Sequence, residues 1–339
     1  GAGDAATFRA FADWAEAWGI AVCSWWATHL AISTEHPCHV GADPGPWLAA
    51  ADVVVVLDCL APWWPDRHPL AEGARVVNIG PDPLFSRFPV RNFRSDLSIA
   101  GESSLTLPAL IAAMRDLPRD ADAIAARRAR LTEASARLRR QQREQAAADG
   151  AGGITKALVS LRLGEALAGL TSSVFSELGT QLGILRREDH RSWFQEPHSG
   201  GLGWSFPAAL GAQLAEPERL CVATMGDGSY MFANPTVCHQ VAEALDLPVL
   251  VLVLNNAEWG AVRASVKGLY PEGYAAKANE MPLTALKPAP DFTHTAAASR
   301  AWARRVSDTA ELEGALAEAL QVVRGERRQA LLDIQVLPD

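Results

Sequence analysis

Two short polar segments carry the strongest chemical signal in the sequence. Gly226-Asp227-Gly228-Ser229 follows the apolar run 220–225, and Asn256 closely follows the apolar run 248–254. Asp227 offers a carboxylate oxygen and Asn256 an amide oxygen, which are hard ligands of the kind that Mg²⁺ prefers. The flanking glycines let a ligand approach the backbone, whose N–H groups favour an anion. The pattern therefore predicts a magnesium-bridged diphosphate site.

Both segments stand at the carboxyl end of a predicted buried strand. Ligands of an open parallel sheet bind just beyond the carboxyl ends of its strands, so we expect both segments to face one crevice. Ser229 would begin the next helix, where its hydroxyl and the helix N-terminus favour phosphate. Two unrelated tight turns are the alternative interpretation.

The segment GDGS, whose Asp227 is separated from Asn256 by the 28 residues 228–255, resembles the diphosphate-binding motif of thiamine diphosphate (ThDP) enzymes. The enzymes meant are those of the acetolactate synthase, benzoylformate decarboxylase and pyruvate decarboxylase type. The spacing is slightly longer than in the most familiar members, and a short insertion would explain it. The resemblance implies Mg²⁺ ligands at Asp227, Asn256 and the backbone carbonyl of Glu258. It implies ThDP contacts at Gly226, Gly228 and Ser229.

Two further segments resemble cofactor-binding parts of the same family. Residues 198–211, HSGGLGWSFPAALG, resemble the segment that lies against the cofactor. This resemblance implies that the Gly200 carbonyl accepts a hydrogen bond from the 4′-amino group, that Gly201 lies beside the cofactor, and that Leu202 holds ThDP bent. Residues 177–181 resemble the other phosphate loop, with cofactor contacts at Gly179, Thr180 and Gln181. A helix-capping glycine turn and a plain strand-end turn are the alternatives.

Fewer signals concern the substrate. The resemblance implies that Trp259 and Val262 face the substrate pocket. Residues 35–41, EHPCHVG, resemble a loop that carries an active-site histidine in benzoylformate decarboxylase. His36 is therefore a candidate catalytic proton relay, since a free imidazole titrates near neutrality, and a purely structural histidine is the alternative. We expect His239, on a predicted helix, to be buried or capping.

Composition restricts the class of protein. The formal net charge of −8 over 339 residues argues against a nucleic-acid partner or a membrane surface, because both attract a positive field. The five cysteines are odd in number and form no CxxC pair, which argues against a disulfide framework or structural zinc and indicates a cytoplasmic location. No apolar run reaches the ~18 residues of a membrane span.

Strand and helix signals alternate in two regions and predict the α/β class, with two doubly wound parallel-sheet domains joined by a helical linker. We expect a central Rossmann-like domain at 1–117, a linker at 118–153 and a ThDP diphosphate-binding domain at 154–339. The basic cluster of the linker is interpreted as a solvated helix face. Predicted strands are residues 20–25, 52–59, 75–80, 97–100, 173–178, 220–225, 248–255 and 330–337. Predicted helices are residues 7–18, 105–117, 155–170, 207–215, 234–245 and 311–323.

The resemblance implies decarboxylation of a small-molecule 2-oxo acid, with or without ligation of the product, which is lyase or transferase chemistry. The alternatives are an acetolactate synthase-like carboligase that also binds FAD, and a non-catalytic ThDP-binding subunit.

The family's activating glutamate lies in a pyrimidine-binding domain, which we expect from a missing N-terminal segment or from a partner subunit. No strand precedes the opening turn, residues 1–4, so we expect the first strand of the central domain to be missing. We therefore interpret the chain as a fragment rather than a natural split subunit. A homodimer or homotetramer is expected because the family's sites form between subunits.

Overall fold

The computed structural model describes residues 4–198, 200–278 and 281–338, and the chain divides into two compact units. The first unit comprises the residues up to 142 together with 187–192, and the second comprises 143–186 and the residues from 193 onward. The division falls inside one long helix, within the region predicted as a linker. No described helix combines the length and apolar character that crossing a membrane requires.

The first unit contains a sheet of three parallel strands that neighbour one another in chain order: β1 (Val53–Leu57), β2 (Arg75–Gly80) and β3 (Leu97–Ala100). Its helices are α1 (Ala5–Trp18), α2 (Gly45–Leu48), α3 (Ser103–Met114) and the first part of α4 (Ala121–Asp149). Helix α1 begins where the Asp4 carboxylate accepts a hydrogen bond from the Thr7 N–H at 2.8 Å. It ends at Gly19, whose φ of 62° is the left-handed cap that glycine favours.

The prediction of a strand at residues 20–25 was wrong. Within the described part of the chain, this segment forms only an isolated parallel bridge between Val22 and His39. The Val22 N–H donates to the Cys38 carbonyl at 2.8 Å, and the Val40 N–H donates to the Val22 carbonyl at 3.0 Å. Trp26 then adopts a φ of 47°, which turns the chain away before a full strand can form. The opening turn lies almost entirely outside the described residues.

The second unit contains a sheet of six parallel strands in the order β5-β4-β6-β7-β9-β8, where the strands are β4 (Ser172–Glu177), β5 (Trp193–Gln195), β6 (Leu220–Gly226), β7 (Leu250–Asn255), β8 (Trp302–Val306) and β9 (Ala330–Gln335). All residues of β4 and β7 are buried, as in parallel strands covered on both faces. After α4 and a short 3₁₀ turn, Gly150–Gly152, the helices are α5 (Lys156–Ala166), α6 (Ser205–Ala215), α7 (Asp227–Phe232), α8 (Pro235–Ala244), α9 (Gly260–Leu269), α10 (Tyr274–Lys277), α11 (Phe292–Ala297) and α12 (Thr309–Gly325).

The strand order of this second sheet reverses at β4. Strand β5 follows β4 in the chain and lies on one side of it, whereas β6 and all later strands lie on the other side. Glu177 at the end of β4 is in register with Met225, and Gly226 at the end of β6 is in register with Leu254. Such a reversal opens a crevice at the carboxyl ends of the strands, where α/β sheets bind ligands.

Candidate functional site

Three of the predicted segments meet the sheet at this reversal. Residues 178–181 follow β4, residues 226–229 follow or close β6, and residues 256–258 follow β7. The three strands are neighbours in the sheet, so their carboxyl ends bring these segments to one edge. The sheet alone therefore explains how segments far apart in sequence come together.

The turn after β4 is held tightly against β6. Leu178 has a φ of 54° and pairs with Met225 in an antiparallel bridge. A Cβ on Gly179 would lie 2.5 Å from the Thr224 carbonyl carbon, so only glycine fits there without a shift. The Thr180 hydroxyl is buried and lies 2.9 Å from the Thr224 hydroxyl. Thr180 thus already has one partner within the protein, and its contact with a phosphate stays a prediction.

A cavity of about 280 Å³ adjoins this turn, with Gly179, Thr180 and Gln181 in its wall. The Gln181 N–H donates to the Ser160 hydroxyl at 2.9 Å, which fixes the backbone on the α5 side. Glu196 also lines the cavity. Burial, together with a smaller contribution from the nearby charge of Glu177, raises the pKa of the Glu196 carboxyl to about 7. The cavity thus contains a carboxyl that titrates near neutrality.

Glu177, the last residue of β4, organises the glycine-rich segment. Its side chain is fully buried, and one oxygen, Oε1, accepts a hydrogen bond from the Gly203 N–H at 2.6 Å. The other oxygen, Oε2, accepts from the N–H groups of Trp204 at 2.6 Å and Ser205 at 2.8 Å. Three charge-assisted hydrogen bonds thus stabilise a buried carboxylate at the first turn of α6, where the helix dipole favours a negative charge.

Gly203 is fixed from a second direction. Its φ is 91°, and a Cβ there would lie 2.6 Å from the carbonyl carbon and oxygen of Phe232, the last residue of α7. The preceding residues are open in contrast. Nothing lies within 4 Å of a Cβ built on Gly200 or Gly201, and the Leu202 side chain is 40% exposed. The result is an apolar side chain presented to solvent by a firmly anchored loop.

Asp227 occupies the centre of the site. It is buried at the start of α7, and its Oδ1 accepts a hydrogen bond from the Gly228 N–H at 2.9 Å. Burial raises the pKa of its carboxyl to about 6, while the backbone amides of Gly228, Ala257 and Glu258 act in the opposite direction. The loop after β7 therefore faces the Asp227 carboxylate. Ser229, in the same first turn, is also buried.

The loop after β7 presents the other predicted metal ligands. Asn256 is partly exposed, and its Oδ1 accepts a hydrogen bond from the Glu258 N–H at 3.2 Å. The Glu258 side chain is held by Arg263 at 2.9 Å, and the Glu258 carbonyl accepts from the Gly260 N–H at 2.8 Å. A carbonyl oxygen has a second lone pair, so the Glu258 carbonyl can still bind a metal ion as predicted.

Trp259 closes the site on one side. A Cβ on Gly228 would lie 2.3 Å from the Trp259 ring, so the ring packs directly on the glycine backbone. The ring also makes an edge contact with Phe232, with centroids 5.6 Å apart. Val262, predicted with Trp259 to face the substrate, is 52% exposed on α9.

The oxygen donors fit a hard divalent cation. One carboxylate, one amide oxygen and one carbonyl lie on two facing segments, which leaves coordination positions for phosphate and water. Across residues 4–198, 200–278 and 281–338, no group of three or more His, Cys, Asp or Glu residues could hold a metal ion. The described residues thus contain no zinc-type cluster, whereas a site with a single carboxylate suits Mg²⁺.

Comparison with known proteins identifies this half of the chain. Residues 177–334 match the family described as thiamine pyrophosphate enzyme, C-terminal TPP binding domain, where thiamine pyrophosphate is another name for ThDP. Residues 177–334 belong to the thiamine diphosphate enzyme family. The matched region contains every segment of the site described above, from Glu177 to Glu258, and supports ThDP as the cofactor.

Curated relatives extend the likeness beyond this matched region. The chain is 28% identical over 297 residues to the probable 2-ketoarginine decarboxylase AruI of Pseudomonas aeruginosa, a match that covers 83% of this chain and 48% of the relative. It is 33% identical over 137 residues to the acetolactate synthase isozyme 3 large subunit of Escherichia coli, which covers 40% of this chain and 22% of the relative. The chain therefore spans about half the length, or less, of these curated relatives.

The fold is also that of solved ThDP enzymes. A thiamine diphosphate-dependent 4-hydroxybenzoylformate decarboxylase of Rhodococcus jostii RHA1 superposes with a TM-score of 0.72 and 19% identity, covering 98% of this chain and 59% of that one. A putative thiamin diphosphate-dependent enzyme of Mycobacterium smegmatis gives a TM-score of 0.69 and 22% identity, with the same coverage. At these identities the likeness concerns the fold alone.

His36, the predicted proton relay, belongs to the first unit. Its Nδ1 accepts a hydrogen bond from the Cys38 N–H at 3.1 Å, and its Nε2 lies 3.8 Å from the Glu16 carboxylate. Burial lowers the pKa of this imidazole, and the charge of Glu16 opposes that effect. These contacts give His36 a part in holding its own loop, and its catalytic role stays a prediction.

The prediction that His239 is buried is confirmed. The ring is fully buried, with Nε2 2.8 Å from the Tyr230 hydroxyl and Nδ1 2.7 Å from the Gln329 side-chain oxygen.

The sequence did not predict the roles of two other residues of the site, Glu177 and Glu196. Glu177 was noted only as part of a phosphate loop, although an acidic residue that ends a buried strand must find donors. Glu196 carried no recognisable motif.

Proposed function

We propose that the complete protein is a ThDP- and Mg²⁺-dependent enzyme that removes CO₂ from a 2-oxo acid, with or without ligation of the product to a second carbonyl compound. The observation that carries the proposal is the convergence of Asp227 with the loop of Asn256 and Glu258 at the reversal of the sheet. Because the chain spans about half the length of its curated relatives, the activity belongs to the whole protein.

Each segment of the site has a part in this proposal. Asp227, Asn256 and the Glu258 carbonyl would hold Mg²⁺, which would offset the negative charge of the diphosphate. Gly179, Thr180 and Gln181 after β4, together with Gly226, Gly228 and Ser229 at the end of β6 and the start of α7, would line the diphosphate. When bound, ThDP supplies the electron sink that accepts the electron pair released with CO₂.

The glycine-rich segment would bend and orient the cofactor. Leu202 is an exposed apolar side chain on an anchored loop, so it can support a folded ligand without moving. Gly200 and Gly201 leave the backbone accessible, which lets the Gly200 carbonyl accept a hydrogen bond from the 4′-amino group. Because Glu177 fixes the loop in advance, little ordering is needed when the cofactor binds.

A second cavity suits an anionic substrate. It measures about 250 Å³, and its wall includes Asn256, Arg263, Lys267 and Lys287. Glu258 also lines this cavity and pairs with Arg263, so Lys267 and Lys287 supply its net positive charge. This charge favours a substrate that carries a carboxylate, as every 2-oxo acid does. The protein groups that choose among 2-oxo acids include residues outside this chain, from the pyrimidine-binding domain of an N-terminal segment or of a partner subunit in a homodimer or homotetramer.

Carboligation of the acetolactate synthase type is the second candidate. It is favoured by the likeness to the acetolactate synthase large subunit, which reaches 33% identity over 137 residues. The likeness to the probable 2-ketoarginine decarboxylase extends over 83% of this chain, so we place decarboxylation first.

The test is CO₂ release by the complete protein with ThDP and Mg²⁺, using pyruvate, benzoylformate and 2-ketoarginine as substrates. We expect CO₂ from at least one of them, loss of that release with EDTA, and loss in Asp227→Asn. Acetolactate formed from pyruvate would establish carboligation. A complete protein that binds ThDP but releases no CO₂ from any 2-oxo acid tested would favour the non-catalytic subunit instead.

A further inference from the structure

A buried carboxylate on β9 lies behind the proposed metal loop. Asp333 is fully buried, and its Oδ1 accepts hydrogen bonds from the Asn255 and Gln335 side-chain amides, both at 2.9 Å. Its Oδ2 accepts from Arg305 at 3.1 Å through Nε and at 3.0 Å through a terminal nitrogen. Four donors therefore fix this carboxylate between strands β7, β8 and β9.

The Asn255 side chain connects the Asp333 carboxylate to the loop of residues 255–258. Asn255 is the last residue of β7, and its amide is buried. While its Nδ2 donates to Asp333, its Oδ1 accepts a hydrogen bond from the Ala257 N–H at 3.1 Å. The carboxylate thus sets which way the amide points, because an acceptor on one side requires the NH₂ group to face it.

Ala257 needs such support. It has a φ of 55°, a left-handed conformation that a non-glycine residue adopts at an energetic cost. Its neighbours in the chain are Asn256 and Glu258, the proposed metal ligands. A loop that relaxed at Ala257 would move both ligands away from Asp227. Fixing the Ala257 N–H therefore fixes the spacing of the oxygen donors.

Stability alone does not explain this arrangement. Buried ion pairs such as Asp333 with Arg305 contribute little net stability compared with apolar residues of similar volume. Burial also raises the pKa of the Asp333 carboxyl, so the fold works against its ionisation. A charged group kept at this position, next to a strained loop, is better explained by the geometry that it imposes.

We propose that Asp333 is a positioning residue for the metal site: through Asn255 it holds the 255–258 loop in the conformation that presents Asn256 and the Glu258 carbonyl to Mg²⁺. Asp333 touches neither metal nor cofactor in this role. The inference rests on the proposed function, because it assumes that this loop binds magnesium. It adds a chain of contacts that runs from Arg305 at the sheet edge to the metal ligands.

The experiment measures the affinity for Mg²⁺ rather than turnover. Mg²⁺ is titrated into the protein with saturating ThDP, and binding is followed by calorimetry. We expect Asp333→Asn to raise the Mg²⁺ dissociation constant about 10-fold or more, the usual effect of removing a group that orients a metal ligand. Asn255→Ala should do the same. The double variant should be no weaker than the weaker single variant, since both act through one chain of contacts.

A matched control comes from the other end of β9. Gln329, which immediately precedes this strand, is buried and donates to the carbonyls of His239 at 3.0 Å and Ser299 at 3.1 Å. Gln329→Ala breaks a comparable buried network at the amino ends of the strands. It should lower the melting temperature but leave the Mg²⁺ dissociation constant within twofold of wild type.

The outcomes separate this inference from the proposed function. Wild-type protein that does not bind Mg²⁺ with ThDP overturns both. Normal wild-type binding, with Asp333→Asn and Asn255→Ala both within twofold of it, overturns the positioning role alone. If Asp333→Asn does not fold, Asn255→Ala decides, because it removes the link to Ala257 and leaves the bond to Arg305 in place. A 10-fold loss in that variant supports the role, and an unchanged affinity overturns it.

Discussion

The Glu177 carboxylate accepts a hydrogen bond from the Gly203 N–H at 2.6 Å, although the two residues are 26 positions apart in the sequence. This hydrogen bond joins the end of β4 to the loop that carries Leu202. The carboxylate therefore stabilises the protein side of the site and is fully occupied by backbone donors. Its role is to build the loop before any cofactor arrives.

Replacing Glu177 should destabilise the second unit. In Glu177→Gln, the side-chain NH₂ group would face backbone N–H groups, and at least one of them would lose its acceptor. We expect the free energy of unfolding to fall by about 2–4 kcal/mol, measured by urea denaturation. Glu326→Gln, which removes an exposed partner of Arg328, should change it by less than about 0.5 kcal/mol. Equal stability of both variants would contradict the role given to Glu177.

Gly203 should not tolerate a side chain. Gly203→Ala places a methyl group against the Phe232 backbone at a positive φ, so we expect a loss of about 2 kcal/mol or more in unfolding free energy. Gly211→Ala is the matched control, because Gly211 lies within α6 with open space around its Cβ position. Alanine there should be neutral or stabilise by up to about 1 kcal/mol. A Gly203→Ala protein as stable as Gly211→Ala would show that the loop is not anchored at α7.

Leu202 should matter for the cofactor and not for the fold. Because its side chain is 40% exposed, Leu202→Ala should change the free energy of unfolding by no more than about 0.5 kcal/mol. In the complete protein, the same change should reduce CO₂ release about 10-fold or more, since a poorly oriented cofactor reacts slowly. Leu214→Ala, at an exposed position of α6, should alter neither quantity. Unchanged turnover in Leu202→Ala would contradict its supporting role.

Glu196 should make the protein less stable as pH rises. Its pKa is about 7 in the folded chain and 4.5 as an ordinary carboxyl, so the folded state holds the proton more tightly. Between these values the unfolded state binds fewer protons, and the unfolding free energy falls with increasing pH. Among the described residues, its Oε2 has no hydrogen-bond partner that would offset the charge.

The variant Glu196→Gln removes this titration. At pH 8 it should be more stable than wild type by roughly 1–2 kcal/mol, with allowance for the water that reaches this half-buried group. The difference should nearly disappear at about pH 3.5, where the carboxyl is mostly protonated in both states of the wild type. Thermal unfolding at the two pH values measures it. A difference that is the same at both values would mean that Glu196 ionises normally.

The sequence was sufficient for features that depend on neighbours in the chain. Asp227 and its glycines, and the apolar runs of β6 and β7, are local patterns, so the edge of the sheet could be predicted. Strand β5 has three residues, and Arg304 and Arg305 interrupt the apolar pattern of β8, so neither strand gave a periodic signal.

Long-range polar partnerships could not be predicted in the same way. Asp333 finds Asn255 78 positions away, because β9 inserts between β7 and β8. No local pattern in the sequence encodes that strand order. The partner of the Thr180 hydroxyl, the Thr224 hydroxyl, likewise lies on the neighbouring strand, so the position of Thr180 in a turn could not reveal this contact.

The central claim is that Asp227 and the loop of Asn256 form a magnesium-dependent diphosphate site. Isothermal titration of ThDP into this chain, with Mg²⁺ or with EDTA, tests it most directly. Thiamine without the diphosphate is the ligand control, and Asp246→Asn, at an exposed position, is the protein control. Because burial raises the pKa of Asp227 to about 6, binding should also weaken as pH falls below 6 and the carboxylate becomes protonated.

We expect wild type and Asp246→Asn to bind ThDP only when Mg²⁺ is present, and neither to bind thiamine detectably. Asp227→Asn should weaken ThDP binding about 100-fold or more, because it removes the only carboxylate of the proposed metal site. Binding of ThDP that is equally strong with EDTA, or in Asp227→Asn, would contradict the account.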